Sequence, residues 1–363
     1  MVPSPTPVQD AVSARLDRFL TALGSESRAY GPDAEMFIRS AAATLRGGKR
    51  LRARFCHTGW RAVAHFSARD AVETDALWDL CAALEIFQSA ALVHDDLIDN
   101  SDTRRGGPAA HRSLEQQHRT LAWAGDAESF GRAGAILLGD LLVAWSDDLL
   151  EQGLADAAHA SQVRREYARM RRDVTTGQFL DIAEESAWQV NPIAEHADRA
   201  LRVVSLKSAR YSIEQPLLLG ALLAGADESQ QAALRRFGHP VGMAFQLRDD
   251  VLGVFGDQSL TGKPTGDDLR EGKRTVLIAF TREHLDASAR RLLDELLGDP
   301  MLSADQVSAL QATITGSGAL ARVEELIDSY AQQADRALSG APLDNAAVGE
   351  LRDLARAATV RTA

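Results

Sequence analysis

AALEIFQSAALVHDDLIDNSDTRRG, residues 82–106, carries an apolar run directly into Asp95, Asp96 and Asp99, then into Arg104 and Arg105. No Pro or Gly interrupts residues 82–105, so the pattern predicts a helix through the acidic cluster. At about 100° per residue, Asp95 and Asp99 fall roughly 40° apart on one face and one turn apart along the axis. Two carboxylates so placed repel each other unless a cation lies between them. An oxygen-only donor set suits a hard ion, Mg²⁺ before Zn²⁺. Taken alone, the same acids would also serve as a solvated helix end.

A second cluster sharpens that reading. Residues 240–257, PVGMAFQLRDDVLGVFGD, place Asp249 and Asp250 in another apolar segment. Residues 259–275, SLTGKPTGDDLREGKRT, follow with Lys263, Asp267, Asp268, Lys273 and Arg274. Two acidic clusters on separate helices, each trailed by basic residues, are expected to face each other across a cavity. Metal ions there would bridge phosphate groups, and Arg and Lys would grip the outer oxygens.

Working outward, the 363 residues are 45% hydrophobic and carry a net charge of −11. The acidic balance argues against nucleic acid as a partner. Cys56 and Cys81 are too few and too far apart for a disulfide framework or a zinc site, which fits a reducing cytosol. No charged-then-apolar leader and no run of 18 apolar residues occurs, so no membrane span is expected. Residues 1–9, with three prolines, read as a flexible tail, and residues 10–363 as one helical domain. Helical periodicity begins at Val8 and is expected to stop at Gly24. It resumes over Asp33–Leu45, before Gly47. No proline falls between Pro108 and Pro192, which leaves room for long helices. Glu115–Ser129 and Glu184–His196 read as connections, and Pro216 is expected to kink its helix. Ala304–Val360 reads as three further amphipathic helices. The whole is an all-α, single-domain bundle of about a dozen helices around a central cavity.

The chain resembles the trans-isoprenyl diphosphate synthases of the polyprenyl synthetase family. The resemblance rests on GGKRLR (Gly47–Arg52), DDLID (Asp95–Asp99), RRG (Arg104–Gly106), AILLGD (Ala135–Asp140), GQFLD (Gly177–Asp181), LKSA (Leu206–Ala209), FQLRDD (Phe245–Asp250) and the lysine loop Gly262–Thr275. These occur in the family's order. The resemblance implies head-to-tail condensation of isopentenyl diphosphate with an allylic diphosphate, and a homodimer. It assigns two Mg²⁺ to Asp95 and Asp99 and a third to Asp249, with Asp96 and Asp250 in support. Arg104, Lys207, Lys263 and Lys273 would hold the allylic diphosphate. Lys49, Arg52 and Arg105 would hold that of isopentenyl diphosphate. Gln246, Ser208, Thr176 and Gln178 would line the path of the allylic cation.

Two positions depart from the family pattern. Gly253 stands where the second DDxxD ends, leaving that cluster one carboxylate short. Asp257 is a candidate replacement, and an aspartate at 253 is expected to be tolerated if Asp257 does not already fill the role. Gln88 replaces a frequent His and is kept as a substrate contact. Chain length would be gauged along the helix below Asp95, past Ala91, Gln88 and Leu84. Ala90 and Ala91 are small, which argues against stopping at C15, and Phe87 is a candidate floor. The expected product is C20, with a C25–C35 product as the main alternative. A terpene cyclase would not need Lys49, Arg52 and Arg105 for a second diphosphate. A non-catalytic partner subunit would be expected to have lost its acidic motifs.

Overall fold

The structure, a computed structural model, describes residues 7–64, 74–256 and 265–359. Its first part comprises helices α1 (Pro7–Ser27), α2 (Pro32–Thr44), α3 (Leu51–Ala64), α4 (Asp75–Ile98), α5 (Ala110–Thr120), α6 (Ala127–Leu154) and α7 (Ala160–Ala187). Then follow α8 (His196–Val203), a π-helical segment (Val204–Glu214), α9 (Gln215–Leu223) and α10 (Glu228–Phe255). The remainder is α11 (Asp267–Glu271), α12 (Val276–His284), α13 (Ala287–Leu296), α14 (Ala304–Gly316), α15 (Ala319–Leu338) and α16 (Asn345–Thr359). Among the described residues the sole sheet is a hairpin, β1 (Thr103–Arg104) and β2 (Gly107–Pro108). The all-α expectation holds, and α14, α15 and α16 are the three expected terminal helices.

Helix α4 is the centre. Leu77, Leu80, Leu84 and Ile86 are fully buried along it, each contributing about 1.5–3 kcal/mol. It packs on α6 and α3, and α1 lies across it. Of the described helices, it is long and apolar enough to cross a membrane, with a mean hydropathy of 1.4, but 72% of that window is buried inside the protein. It is therefore the core of the bundle. A second core gathers α10, α12, α14 and α15, and a third joins α3, α9 and α10 to α16.

Local chemistry sets the ends. Asp227 and Gln230 form a capping box at the start of α10, and Asp126 caps α6 through the Ser129 amide, each satisfying amides the first turn leaves open.

Several sequence expectations change. Helix α4 stops at Ile98 rather than running to 105. The Asp99 amide closes the last turn on the Asp95 carbonyl at 2.8 Å, and Asn100 turns left-handed with φ 53°, which ends a helix. Arg105 (φ 53°) and Gly106 (φ 77°) are the central pair of a two-residue hairpin, the geometry of a type I′ turn. Helix α1 continues past Gly24 to Ser27, and residues 7–9 of the expected tail form its first turn. Glu115–Ser129 is mostly the second half of α5 and the start of α6, and Glu184–Ala187 still belongs to α7. Pro216 falls at the junction where the π-helical segment passes without a break into the first turn of α9.

Candidate active site

A cavity of about 1030 Å³ opens between α4, α7, the π-helical segment and α10. Lys49, Arg52, Gln88, Ala91, Asp95, Arg104, Arg105, Lys207, Ser208, Gln246, Asp249, Asp250 and Lys273 all line it. Gln178 lines it too, with its side-chain nitrogen buried and without a hydrogen bond. Thr176, on the same helix, is exposed and off the cavity. Lys263 and Asp257 lie outside the described residues.

Two lysines tie the carboxylates together: Lys207 joins Asp95 to Asp181 on α7, and Lys273 joins the first acidic cluster to the second region. Lys207 Nζ stands 3.3 Å from Asp95 Oδ1 and 2.5 Å from Asp181 Oδ2. Burial opposes its charge, but Asp95 and Asp181 outweigh it and hold its pKa above the ordinary value. Lys273 Nζ lies 2.6 Å from Glu271, 3.6 Å from Asp268 and 3.7 Å from Asp99. It reaches from the second acidic region to the first. Asp96 is buried and turns away from the cavity to pair with Arg104, which positions that arginine at the rim.

The geometry allows this because two segments of the chain come unusually close. A Cβ on Gly177 would fall 2.4 Å from the Lys207 amide nitrogen. Only glycine lets α7 touch the π-helical segment there, which gives GQFLD a structural meaning.

The carboxylates are crowded. Burial, then Asp95, pushes Asp99 up to about 6. Burial, then Asp268, pushes Asp250 up to about 8, although Gln246 donates to it at 2.7 Å. Asp95 Oδ1 is buried without a hydrogen bond. Clustered carboxylate oxygens are the donor set of a hard divalent ion. Among the described residues no three His, Cys, Asp or Glu side chains form a ready cage. A metal here would therefore complete its shell from diphosphate oxygens and water, as Mg²⁺ commonly does.

Gly253 changes meaning in this setting. A Cβ built on it would lie 1.9 Å from Asp268 Oδ2 and 2.3 Å from Asp268 Cγ. The Asp268 carboxylate occupies the space into which an aspartate at 253 would extend. Easy tolerance of that aspartate is therefore no longer the expectation, and Asp268 is a carboxylate at that place among the described residues.

A basic rim forms another part of the lining. Lys49, Arg52 and Arg105 line the cavity. Arg105 Nη1 donates to the Arg46 carbonyl at 2.9 Å. Arg50, between Lys49 and Arg52, is buried and serves the fold, donating to the Leu45 carbonyl at 2.7 Å and facing Glu85 at 3.7 Å. His94 packs toward α6, against Gly139, near the Ile136 carbonyl at 3.2 Å and 3.6 Å from Asp140 Oδ1.

Of the residues expected to gauge product length, Ala91 lines the cavity one turn below Asp95, and Ala90 is buried beside it. Phe87 does not line the cavity. It is buried behind Tyr211, ring centroids 5.7 Å apart, and touches Tyr167 at 6.3 Å. Sequence reasoning missed Tyr211, Ser212 and Phe245 as lining residues. The signal for two of them was present: Tyr211 and Ser212 follow Lys207 and Ser208 by four residues, one helical turn.

Against known proteins, the chain matches the family described as polyprenyl synthetase over residues 35–314. It is similar to the geranylgeranyl pyrophosphate synthase of Corynebacterium glutamicum, solved in complex with isoprenyl diphosphate and magnesium. The TM-score is 0.91 and the identity 36%, covering 97% of this chain and 98% of that one. It is 32% identical to the geranylfarnesyl diphosphate synthase of Aeropyrum pernix over 85% of this chain and 88% of that protein. It is 33% identical to the geranylgeranyl diphosphate synthase of Mycobacterium tuberculosis over 72% of this chain and 68% of that one.

Proposed function

The chain belongs to the polyprenyl synthetase family of trans-prenyltransferases, and from that premise we propose that it builds geranylgeranyl diphosphate, C20, from isopentenyl diphosphate and C5–C15 allylic diphosphates. The observation that carries this is one cavity with two differently built parts. Part of its lining pairs carboxylates with Lys207 and Lys273, and another part carries the cations Lys49, Arg52 and Arg105. Two diphosphates of unequal fate need such an asymmetry. The one that leaves must have its growing charge neutralised, while the one that stays needs only to be held.

Asp95 and Asp99, with Asp249 and Asp250 opposite, would hold the Mg²⁺ ions, taken as three with substrate bound. Bound magnesium supplies charge neutralisation to the departing diphosphate. Lys207, Lys273 and Arg104 anchor the same diphosphate from the protein side, with Lys263 assigned there by the family pattern. Ser208 and Gln246 present their dipoles to the allylic carbon as charge develops on it. Lys49, Arg52 and Arg105, with Gln88, orient isopentenyl diphosphate so that its double bond faces that carbon. The hydrocarbon extends past Ala91, where small side chains leave room for a chain longer than C15.

We place the enzyme in the cytosol as a homodimer of one-domain subunits. The ion pairs Arg171–Asp147 and Arg164–Glu151 tie α6 and α7 antiparallel. Leu137 on α6 (60% exposed) and Phe179 on α7 (66% exposed) leave large apolar side chains on the surface, the kind a second copy would cover.

Mass spectrometry of products, with Mg²⁺, isopentenyl diphosphate and each of the C5, C10 and C15 primers, tests the reading. A single C20 diphosphate from all three is expected. Longer products would move the chain-length limit deeper, and no elongation with any primer would overturn the catalytic assignment.

A further inference from the structure

Tyr211 stands on the π-helical segment one turn beyond Lys207 and is 3% exposed, yet it borders the cavity. Three contacts converge on it and its neighbour. Its hydroxyl donates to Gln88 Oε1 at 2.7 Å. Its ring lies beneath the Arg52 guanidinium, 4.1 Å from the carbon at the centre of that group. Arg52 Nη2 donates to Ser212 Oγ at 2.7 Å. Behind the ring, Phe87 meets it edge to face, and Phe87 is itself backed by Tyr167.

Arg52 has no carboxylate partner among these contacts, and its Nε is buried without a hydrogen bond. A guanidinium with five fixed donors is thus held from below by an aromatic face and from one side by a hydroxyl. Gln88 is tethered by its acceptor oxygen, which leaves its amide NH₂ as the end able to donate. Both groups are donors of the kind a diphosphate takes.

We infer that Tyr211 is the positioning residue of the isopentenyl diphosphate site: it holds Arg52 through its ring and Gln88 through its hydroxyl, so that both present donors to the diphosphate that is retained. Burial pushes the Tyr211 hydroxyl up to about 12, so it remains a donor across the working pH range. The alternative is that Tyr211 only fills space between α4 and the π-helical segment. The two differ in what a substitution moves. A packing role moves stability and both substrates alike, whereas a positioning role moves one substrate.

The inference rests on the proposed location of isopentenyl diphosphate at Lys49, Arg52 and Arg105, and the experiment separates the two. KM for isopentenyl diphosphate, KM for the allylic primer and thermal stability are measured for Arg52→Ala, Tyr211→Phe and Tyr211→Leu. Binding of isopentenyl diphosphate alone is followed by calorimetry. Tyr211→Phe keeps the ring and loses the bond to Gln88, so KM for isopentenyl diphosphate should rise about two- to tenfold, the scale of one neutral hydrogen bond. Tyr211→Leu also loses the cation–ring contact and should raise it by a further factor of about two to thirty. In both, KM for the allylic primer should stay near its starting value. If Arg52→Ala leaves KM for isopentenyl diphosphate unchanged, the location of that site falls. If Arg52→Ala raises it but the Tyr211 variants shift both substrates equally or neither, the positioning role falls. Should Tyr211→Leu not fold, Tyr211→Phe with the calorimetric Kd decides alone.

Discussion

Replacing Gly253 separates stability from metal use. In Gly253→Ala the new methyl would sit 1.9 Å from Asp268 Oδ2, far inside contact distance, so the carboxylate must swing away. It is the end of a short flexible side chain, and the contacts it leaves include the ion contact with Lys273 at 3.6 Å. The pair is largely buried, so weakening it costs more than the ~1 kcal/mol of a surface pair, although Lys273 keeps Glu271 at 2.6 Å. Against that loss, alanine gains roughly 0.5–1 kcal/mol over glycine inside a helix. The gain offsets only part of that loss, so a modest fall in melting temperature is expected, with the fold retained. The carboxylate also leaves the neighbourhood of Asp250, where it is the second cause, after burial, of that group's raised pKa. If Asp268 helps hold or orient a metal there, affinity should fall on the order of tenfold or more. Mn²⁺ binding read by electron paramagnetic resonance, with a non-reactive diphosphate analogue present, gives that number without turnover. Gly253→Asp should behave worse, adding charge to an already crowded cluster, and Gly253→Asp with Asp268→Gly should recover much of the affinity. Unchanged Mn²⁺ affinity in Gly253→Ala would refute the reasoning, because it would mean that the place of the Asp268 carboxylate does not matter.

Other expectations follow from the same geometry. Asp95→Ala should remove nearly all turnover while leaving the circular dichroism spectrum and melting curve close to the parent's; near-normal turnover would defeat its metal assignment. Ala91→Phe puts an aromatic ring into the cavity one turn below Asp95 and should shorten the product seen by mass spectrometry. An unchanged product would mean that the chain does not pass that face of α4. Leu84→Ala empties a fully buried site in α4 and should cost about 2–5 kcal/mol, read by chemical denaturation. The metal-free protein should lose stability as pH rises. Burial first, and then neighbouring carboxylates, push Asp250 up to about 8 and Asp99 up to about 6, so the folded chain holds protons that the unfolded chain releases near 4. That contribution is complete below about pH 4 and is lost as pH passes through 6 and then 8. Thermal unfolding of Asp250→Asn from pH 5 to 9 should show a shallower slope than the parent, and an identical slope would count against the crowded-carboxylate account.

The sequence made the chemistry legible wherever it depended on residue type at helical spacing. Asp95, Asp99, Asp249 and Asp250 stand out because no apolar helix carries such acids without a reason, and the all-α bundle follows from the same periodicity. What it concealed lies at contacts between distant segments. Helix continuity through residue 105 looked assured because Asn100 and Arg105 are not glycines, yet both adopt positive φ. The hairpin they permit is what brings Arg105 into the basic rim. Asp268 could not be matched to Gly253 from spacing, since the fourteen residues between them say nothing of where the chain turns back. Tyr211 was hidden for a related reason. A tyrosine four residues after Lys207 reads as core, and core it is, with its ring against Phe87. Only the fold reveals that the other side of the same ring supports Arg52, 159 positions earlier in the chain. Side chains that touch substrate leave a signature of charge in the sequence. Those that orient them are apolar or amphipathic, satisfy their partners internally, and look like packing until the partner is seen.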